Sequence, residues 1–310
     1  MRRFRVFLSV VFGLLLSFAQ AASAQLQKEI ARIAAEARGR VGVACSLPGK
    51  TLACDFHADE RLPMQSVYKL PIALTMLHEV EQGRYKLDQP IRFRAADVPD
   101  HDVYSPLRDQ YPNGNVDVKL EDLLRRAVTQ SDNVACDILL RLLDRPGEPG
   151  SGPAVVTAYI RRLGIAPIAV VDTERVLNHN EMLQYRDSAT PRALVTLLRR
   201  LADRSPLTPG HTQLLFSWMI STHTADERVR AELPPDTVSA DKTGTSGQSR
   251  TTDNATNDIA LITLPDGRKL AIAVLVADSR APFAVRERVI AQIARAIDEA
   301  ATRVDHPGGR

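Results

Sequence analysis

The pair Ser66 and Lys69, in the stretch QSVYKLP, has the residue types and spacing of a nucleophile with its base. A serine hydroxyl attacks poorly until a neighbouring base removes its proton. The stretch lies where a helical pattern begins, and residues three apart on a helix share one face, so Lys69 can reach the hydroxyl. Because the same spacing is ordinary at a helix start, other parts of the chain must decide between the two interpretations.

Two more short motifs follow, each with an ordinary structural interpretation. Ser131–Asn133 (Ser-Asp-Asn) precedes the apolar segment VACDILLRLL and is typical of a helix cap. Lys242–Gly244 (Lys-Thr-Gly) ends a strand-like segment, where a turn is expected. Found together in this order and at these separations, the three motifs favour a catalytic site over three unrelated structural features.

The elements that must position these motifs change in type along the chain. Apolar residues at helical spacing predict a helix near 25–38, and two strands, RVGVACS and TLACDFH, follow it around a turn. From Ser66 to about residue 221 the patterns are mostly helical. Strand patterns return in VSADKTG, DIALITL and KLAIAVLVAD, the last two joined by a PDGR turn, before a closing amphipathic helix.

This order predicts an α/β (α+β) fold, with a five-stranded antiparallel sheet flanked by the terminal helices and an inserted all-helical domain. We expect the sheet domain at 25–62 and 222–304, the helical domain at 63–221, and a flexible tail at 305–310. Such an arrangement leaves a cleft between its two parts, where binding sites are common.

Residues 1–24 have the pattern of a secretory signal peptide. A basic start with three arginines precedes an apolar run at 6–18 and the cleavage signal ASA at 22–24. Cleavage before Gln25 would remove three of the 40 Lys and Arg and none of the 37 Asp and Glu, leaving 37 of each sign. Because equal numbers of basic and acidic residues leave no net positive charge, we expect no nucleic-acid partner. From the signal peptide we predict an exported periplasmic protein without membrane attachment, and we expect a monomer.

The three cysteines, Cys45, Cys54 and Cys136, have no spacing typical of a metal site, and we predict neither a metal nor another cofactor. Cys45 and Cys54 flank SLPGKTLA, and a turn centred on Gly49 and Lys50 would set them directly opposite each other. In an oxidising compartment they could form a disulfide. The alternative is a pair of small half-buried side chains, and Cys136 would stay free in either case.

Taken together, the motifs resemble those of the class A serine β-lactamases, within the wider penicillin-recognising family. The resemblance covers essentially the whole chain after residue 24. It includes the segment ERVLN at 174–178, which matches the E-x-x-L-N of the class A Ω loop, expected here at 172–187. The local sequences QSVYKLP and SDNVACD are most similar to those of the extended-spectrum branch of the class.

The resemblance implies how the two steps of such a reaction would be divided. Ser66 would form an acyl-enzyme, with either Lys69 or a water held by Glu174 and Asn178 taking its proton; both alternatives stay open. Glu174 with Asn178 would then direct water at the ester. That second role separates class A from penicillin-binding peptidases, which form the same acyl-enzyme but hydrolyse it very slowly.

The resemblance also implies roles for the remaining motif residues. Ser131, held by Lys242, would pass a proton to the departing lactam nitrogen, and the N–H groups of Ser66 and Thr245 would form the oxyanion hole. Arg228 is preferred over Arg250 as the cation near the substrate carboxylate. The implied substrate-binding residues are Tyr104, Asn133, Asn178, Thr243, Gly244, Thr245 and Arg228.

One departure from the family pattern concerns the closure of the Ω loop. Asp172 stands where the family usually has an Arg, and Asp187 stands where it has the Asp that pairs with that Arg. Two acids thus replace an ion pair, and Arg175 or Arg186 could serve as a new clamp. We expect a differently closed loop that admits bulky oxyimino cephalosporins.

Two other functions share parts of this pattern. A D-alanyl-D-alanine peptidase has the same three motifs but does not need Glu174. A β-lactam sensor domain would be acylated once and should carry membrane helices, which the sequence after residue 24 lacks. The sequence therefore predicts a β-lactamase acting on penicillins and cephalosporins.

Overall fold

The computed structural model describes residues 23–99, 103–246 and 254–303. The predicted signal peptide apart from residues 23–24, the whole predicted tail at 305–310 and Arg250 lie outside these residues. The strands are β1 (Arg40–Ser46), β2 (Leu62–Pro63), β3 (Pro90–Phe93), β4 (Val116–Lys119), β5 (Ile168–Ala169), β6 (Ser188–Ala189), β7 (Ser239–Thr245), β8 (Asn254–Thr263) and β9 (Lys269–Ser279).

The helices occupy both ends of the described part of the chain and most of its middle. They are α1 (23–35), α2 (Lys69–Glu81), α3 (Pro106–Gln110), α4 (Leu120–Arg125), α5 (Asn133–Leu142), α6 (Gly152–Arg162), α7 (Glu174–His179), α8 (Pro191–Asp203), α9 (Pro209–Ile220) and α10 (Phe283–Thr302). Across the described ranges, none of the helices is long and apolar enough to cross a bilayer.

The main sheet is antiparallel, with the strand order β1-β9-β8-β7. β8 and β9 form the predicted hairpin, in which Thr263 pairs with Lys269. β7 lies at the edge of the sheet, where Gly244 pairs with Asn257 of β8. The predicted class, an antiparallel sheet combined with flanking helices, is confirmed.

The predicted fifth strand, TLACDFH, is wrong. Residues 51–57 meet β1 only at the isolated Val43–Phe56 bridge, and the Leu47–Lys50 bridge closes the turn before them. The Leu47–Lys50 bridge centres the turn one residue earlier than predicted, whereas the Val43–Phe56 bridge keeps the predicted centre. The two bridges therefore differ in register by two residues. A continuous ladder cannot join two registers, and the main sheet therefore has four strands within the described ranges.

A disulfide joins Cys45 to Cys54, with their Cα atoms 6.0 Å apart. It ties the segment after the turn to β1, where backbone pairing is sparse. Cys136 is a buried free thiol.

The sheet is buried on both faces because alternate residues of β9 point to opposite sides. Ile272, Val274 and Val276 belong to one core, shared with α1 and α10. Ala273 and Leu275 belong to a second core, shared with α2, α8 and the other central helices. The sheet thus separates the terminal helices from the helical middle of the chain.

Candidate active site

The nucleophile candidate Ser66 lies in a 3₁₀ turn, Gln65–Tyr68, that leads directly into α2. The side-chain amide of Asn257, on β8, donates to the carbonyl of Pro63 at 2.8 Å and to that of Met64 at 3.0 Å. The turn opens with Gln65 at a φ of 51°. Left-handed backbone in a residue other than glycine costs energy and is typical of functional sites.

Gly244 allows β7 to pass directly beside this turn. A Cβ atom at Gly244 would lie 2.4 Å from the carbonyl oxygen of Met64 and 3.2 Å from the nitrogen of Ser66. Any side chain would therefore force the strand and the nucleophile turn apart. The glycine of the Lys-Thr-Gly motif is required by this close approach.

Lys69 lies on the first turn of α2 and connects three candidate residues. Its Nζ is 2.6 Å from Ser66 Oγ, 2.8 Å from Asn133 Oδ1 and 2.5 Å from Glu174 Oε1. The side chain is fully buried. Lys69 can thus exchange a proton with the serine on one side and the glutamate on the other.

Ser131 and Lys242 form a second hydroxyl–amine pair. Lys242 Nζ lies 3.1 Å from Ser131 Oγ. Ser131 has a φ of 57°, the second left-handed residue of the site. Burial, and next the positive charge of Lys69, lower the pKa of Lys242 well below its usual value. A lysine with a lowered pKa exchanges protons more readily near neutral pH.

Asp132 gives the Ser-Asp-Asn motif its helix cap. Its Oδ1 accepts from the Ala135 N–H at 2.9 Å and from the Ser105 hydroxyl at 2.7 Å. Its Oδ2 accepts from the Leu107 N–H at 2.6 Å. The capping interpretation therefore holds for the middle residue, while its two neighbours, Ser131 and Asn133, reach the candidate lysines.

Asp137, which belongs to none of the predicted motifs, fixes the backbone at Glu174. Its two carboxylate oxygens accept from the backbone N–H of Glu174 at 2.7 Å and of Arg175 at 2.9 Å. Burial, and next the charge of Glu174, raise the pKa of Asp137 to about 7. Asp137 follows Asn133 by one turn of α5, so the two side chains share a helix face. That spacing is the sequence signal that could have indicated Asp137.

The Ω loop also has internal contacts. Asn178 Nδ2 donates to the backbone carbonyl of Glu174 at 2.7 Å, which leaves the side-chain oxygen of Asn178 as an acceptor for water. Of the two predicted clamps, Arg186 contacts Asp172, with Nε 3.2 Å from Oδ2. Arg175 instead donates to the carbonyl of Ala96 at 3.0 Å.

Arg228 supports the part of the site that β7 forms. Its Nη2 donates to Thr245 Oγ1 at 2.6 Å, and its Nη1 donates to the carbonyl of Asn257 at 2.9 Å. Only 3% of Arg228 is exposed. Because Thr245 Oγ1 accepts from the guanidinium, its own hydrogen is free to point at a ligand. Arg228 thus lies behind Thr245, and it reaches a ligand mainly through that hydroxyl.

These groups surround one cavity of about 440 Å³. Tyr104 stands at its rim with 60% of its surface exposed. Lys69 and Lys242 lie beneath the lining. The predicted residues in the lining are Ser66, Tyr104, Ser131, Asn133, Glu174, Asn178, Arg228, Thr243, Gly244 and Thr245.

The lining also includes residues that the motifs did not indicate. Gln65 Nε2 donates to Gln184 Oε1 at 2.7 Å, which connects the nucleophile turn to the Ω loop. Thr243 Oγ1 donates to Thr224 Oγ1 at 2.6 Å. Polar loop residues such as Gln184 and Thr224 have no periodicity, so the sequence held no signal for them.

Comparison with known proteins gives consistent results. A family model described as the β-lactamase enzyme family matches residues 25–301. The extended-spectrum β-lactamase PER-1 of Pseudomonas aeruginosa is 36% identical over 280 residues, or 90% of this chain and 88% of its own. β-Lactamase VEB-1 of the same organism is 32% identical over 94% of both chains.

Solved structures agree with this assignment. A β-lactamase from Chitinophaga pinensis has a TM-score of 0.82 at 37% identity, covering 90% of this chain and all of the other. TLA-1 extended-spectrum β-lactamase has a TM-score of 0.84 at 32% identity, covering 91% of this chain and all of the other. The chain belongs to the β-lactamase enzyme family, as a class A member and a hydrolase of β-lactams.

Proposed function

We propose that this chain is an exported, periplasmic serine β-lactamase that hydrolyses penicillins and cephalosporins through an acyl-enzyme on Ser66. The observation that carries the proposal is the position of Lys69 Nζ, 2.6 Å from Ser66 Oγ and 2.5 Å from Glu174 Oε1. One buried amine thus connects the candidate nucleophile with the candidate base for the second step.

In the acylation step, Ser66 Oγ attacks the lactam carbonyl and loses its proton to Lys69. The amine is in direct contact with the hydroxyl, so in its neutral form it is the nearest acceptor. The Glu174 carboxylate, 2.5 Å from the amine, stabilises the ammonium that forms and stays ionised for the second step. The N–H groups of Ser66 and Thr245 stabilise the oxyanion, and the close approach at Gly244 keeps them near each other.

The departing lactam nitrogen receives its proton from Ser131. Lys242, 3.1 Å away, resupplies that hydroxyl. Thr243 and Thr245 bind the substrate carboxylate, with Arg228 orienting the Thr245 hydroxyl. Asn133 binds the amide side chain of the substrate, and Tyr104 forms the rim of the cleft.

In the deacylation step, Glu174 takes a proton from a water that attacks the ester. Asn178 holds that water with its free side-chain oxygen. Asp137 fixes the backbone on which Glu174 stands. Water activation of this kind turns a stable acyl-enzyme into a catalytic intermediate.

We infer in addition that the cleft accepts bulky oxyimino cephalosporins. The relatives PER-1 and TLA-1 are named extended-spectrum enzymes. Asp172 and Asp187 replace the ion pair that usually closes the loop beside the cleft. The test compares kcat/KM for a small and a bulky cephalosporin, and efficient hydrolysis of small penicillins alone would contradict the inference.

The proposal also includes the predicted domain organisation, with a sheet domain at 25–62 and 222–304 and a helical domain at 63–221. It further includes the prediction that the protein is exported and monomeric. Both cores meet at the sheet, which supports that division.

The direct experiment mixes the purified protein with a chromogenic cephalosporin. We expect many turnovers per enzyme, and roughly 10⁴-fold or greater loss of kcat in Ser66→Ala, because the covalent path is removed. A parent that is acylated once and then stays acylated would contradict the proposal and indicate a penicillin-binding peptidase or a sensor.

A further inference from the structure

Two acidic side chains, Asp172 and Asp187, are buried together where the two ends of the Ω loop meet. Only 7% of Asp172 and 1% of Asp187 is exposed. Asp187 Oδ1 accepts from the backbone N–H of Val171 at 2.5 Å and of Asp172 at 3.2 Å. The backbone carbonyl of Asp187 accepts from Met64 at 2.8 Å, so the same closure reaches the nucleophile segment.

Each of the two carboxyl groups has one buried oxygen, Oδ2, without a hydrogen-bond partner. Arg186 Nε is 3.2 Å from Asp172 Oδ2, but it is not aligned for a hydrogen bond, and its side chain is 52% exposed. Two carboxylates that share a buried site cannot both ionise easily. A single proton would give both oxygens a partner.

We propose that Asp187 closes the Ω loop as a neutral carboxylic acid that donates its proton to the Asp172 carboxylate. Asp172 is the ionised member of the pair because Arg186 faces it. Both are positioning residues, since they touch neither Ser66 nor the cleft and act by holding the loop that carries Glu174. The catalytic consequence rests on the proposed function.

The charged and titratable groups around Asp187 support a neutral form. Asp172 and Arg186 face the pair from the loop, Glu174 from α7, and the Tyr68 phenol from the nucleophile turn. Arg186 is the one cation among these groups, and solvent screens it. Burial, followed by the charges of Asp172 and Glu174, raises the pKa of Asp187 to about 7.

The direction of the pH dependence follows from this raised pKa. An acid that stays neutral in the closed loop, but ionises near 3.8 when released, favours closure most at low pH. That contribution falls as the pH rises, and it is gone above about 7. Loop closure, and with it deacylation, should therefore weaken as the pH rises from about 4 to about 7, by at most about tenfold for each pH unit, and should not weaken further above that range.

Two variants of the mature chain test the pair. Asp187→Asn keeps an oxygen for the two backbone N–H groups and replaces the acid proton with a permanent amide donor. Asp172→Asn removes the negative charge that faces Asp187, so Asp187 should ionise at a lower pH. For the parent and both variants, kcat with a chromogenic cephalosporin and the melting temperature are measured from pH 5 to 9.

We expect the parent to lose kcat and melting temperature as the pH rises from 5 to 7 and to level off above 7, while Asp187→Asn comes closest to the parent at pH 5 and keeps both values across that window. At pH 8.5 the variant should melt at least roughly 3 °C above the parent. Asp172→Asn should retain the loss but shift it to lower pH. Asp137 and the other buried acids remain in both variants and cannot produce this difference.

The proposal is wrong if Asp187→Asn keeps the loss that the parent shows between pH 5 and 7, or if it melts well below the parent at pH 5. Should Asp187→Asn fail to fold, an unshifted pH profile in Asp172→Asn overturns the proposal equally. A parent without hydrolysis at any pH would refute the proposed function instead, and the melting curves would still decide the state of the pair.

Discussion

The β7 wall of the cleft and its Ω-loop wall are held in place by different kinds of contact. β7 is fixed by regular backbone pairing with β8, and its motif residues from Lys242 to Gly244 are buried. The Ω loop depends on single carboxyl groups, those of Asp137 and Asp187, that accept backbone N–H groups. The strand wall should therefore respond mainly to steric changes, whereas the loop wall should respond to charge and pH.

The largest effect should come from a steric change in the strand wall. In Gly244→Ala, the new methyl group would meet the carbonyl of Met64 at 2.4 Å and push the strand from the nucleophile turn. We expect kcat/KM to fall by about 100-fold or more, since displacements near 1 Å can cost that much. Gly210→Ala is the matched control, because no atom lies within 4 Å of its added Cβ. Near-parental activity in Gly244→Ala would show that the strand wall is not sterically fixed.

A change in the loop wall should affect one step selectively. Asp137→Ala leaves the N–H groups of Glu174 and Arg175 without their acceptor. We expect deacylation to slow by about 10–100-fold, as expected for the loss of one or two buried hydrogen bonds, while acylation changes little. Rapid-mixing kinetics separates the two steps. Asp137→Asn, which keeps one acceptor, should lose less, and equal slowing of both steps would contradict the distinction between the walls.

A smaller effect is expected from a single hydroxyl on the strand wall. Thr245→Val removes the group that Arg228 orients, and kcat/KM should fall by about tenfold. The control is Thr256→Val on the strand opposite, where Thr256 Oγ1 is buried without a partner. That control should be neutral or more stable. Equal loss of activity in both variants would mean that β-propensity or packing, and not the hydroxyl, explains the effect.

The chemical types in this site could be predicted from the sequence, because Ser66 and Lys69 have a fixed local spacing and the resemblance of ERVLN to the class A Ω loop indicated Glu174. The structure brings Ser66 and Glu174 together in the lining of one cavity, with Lys69 buried beneath them. The supporting residues were harder to predict. Asp137 had a usable signal in its helical spacing from Asn133, whereas Gln184 contacts Gln65 from a loop without periodicity.

The fold shows a similar limit. Alternating and helical patterns predicted β7, β8, β9 and the terminal helices, because each has a strong apolar period. The prediction of a strand at TLACDFH was wrong because a turn displaced by one residue breaks the ladder. The pattern of apolar residues does not fix the centre of a turn.

The central claim is that Glu174 makes an acyl-enzyme on Ser66 turn over. Intact-mass measurement of Glu174→Ala after mixing with a cephalosporin tests this claim most directly. The account predicts a covalent adduct that accumulates to one per chain and persists for minutes, while the parent returns to its free mass. A variant that shows no adduct and turns over at the parental rate would contradict the account.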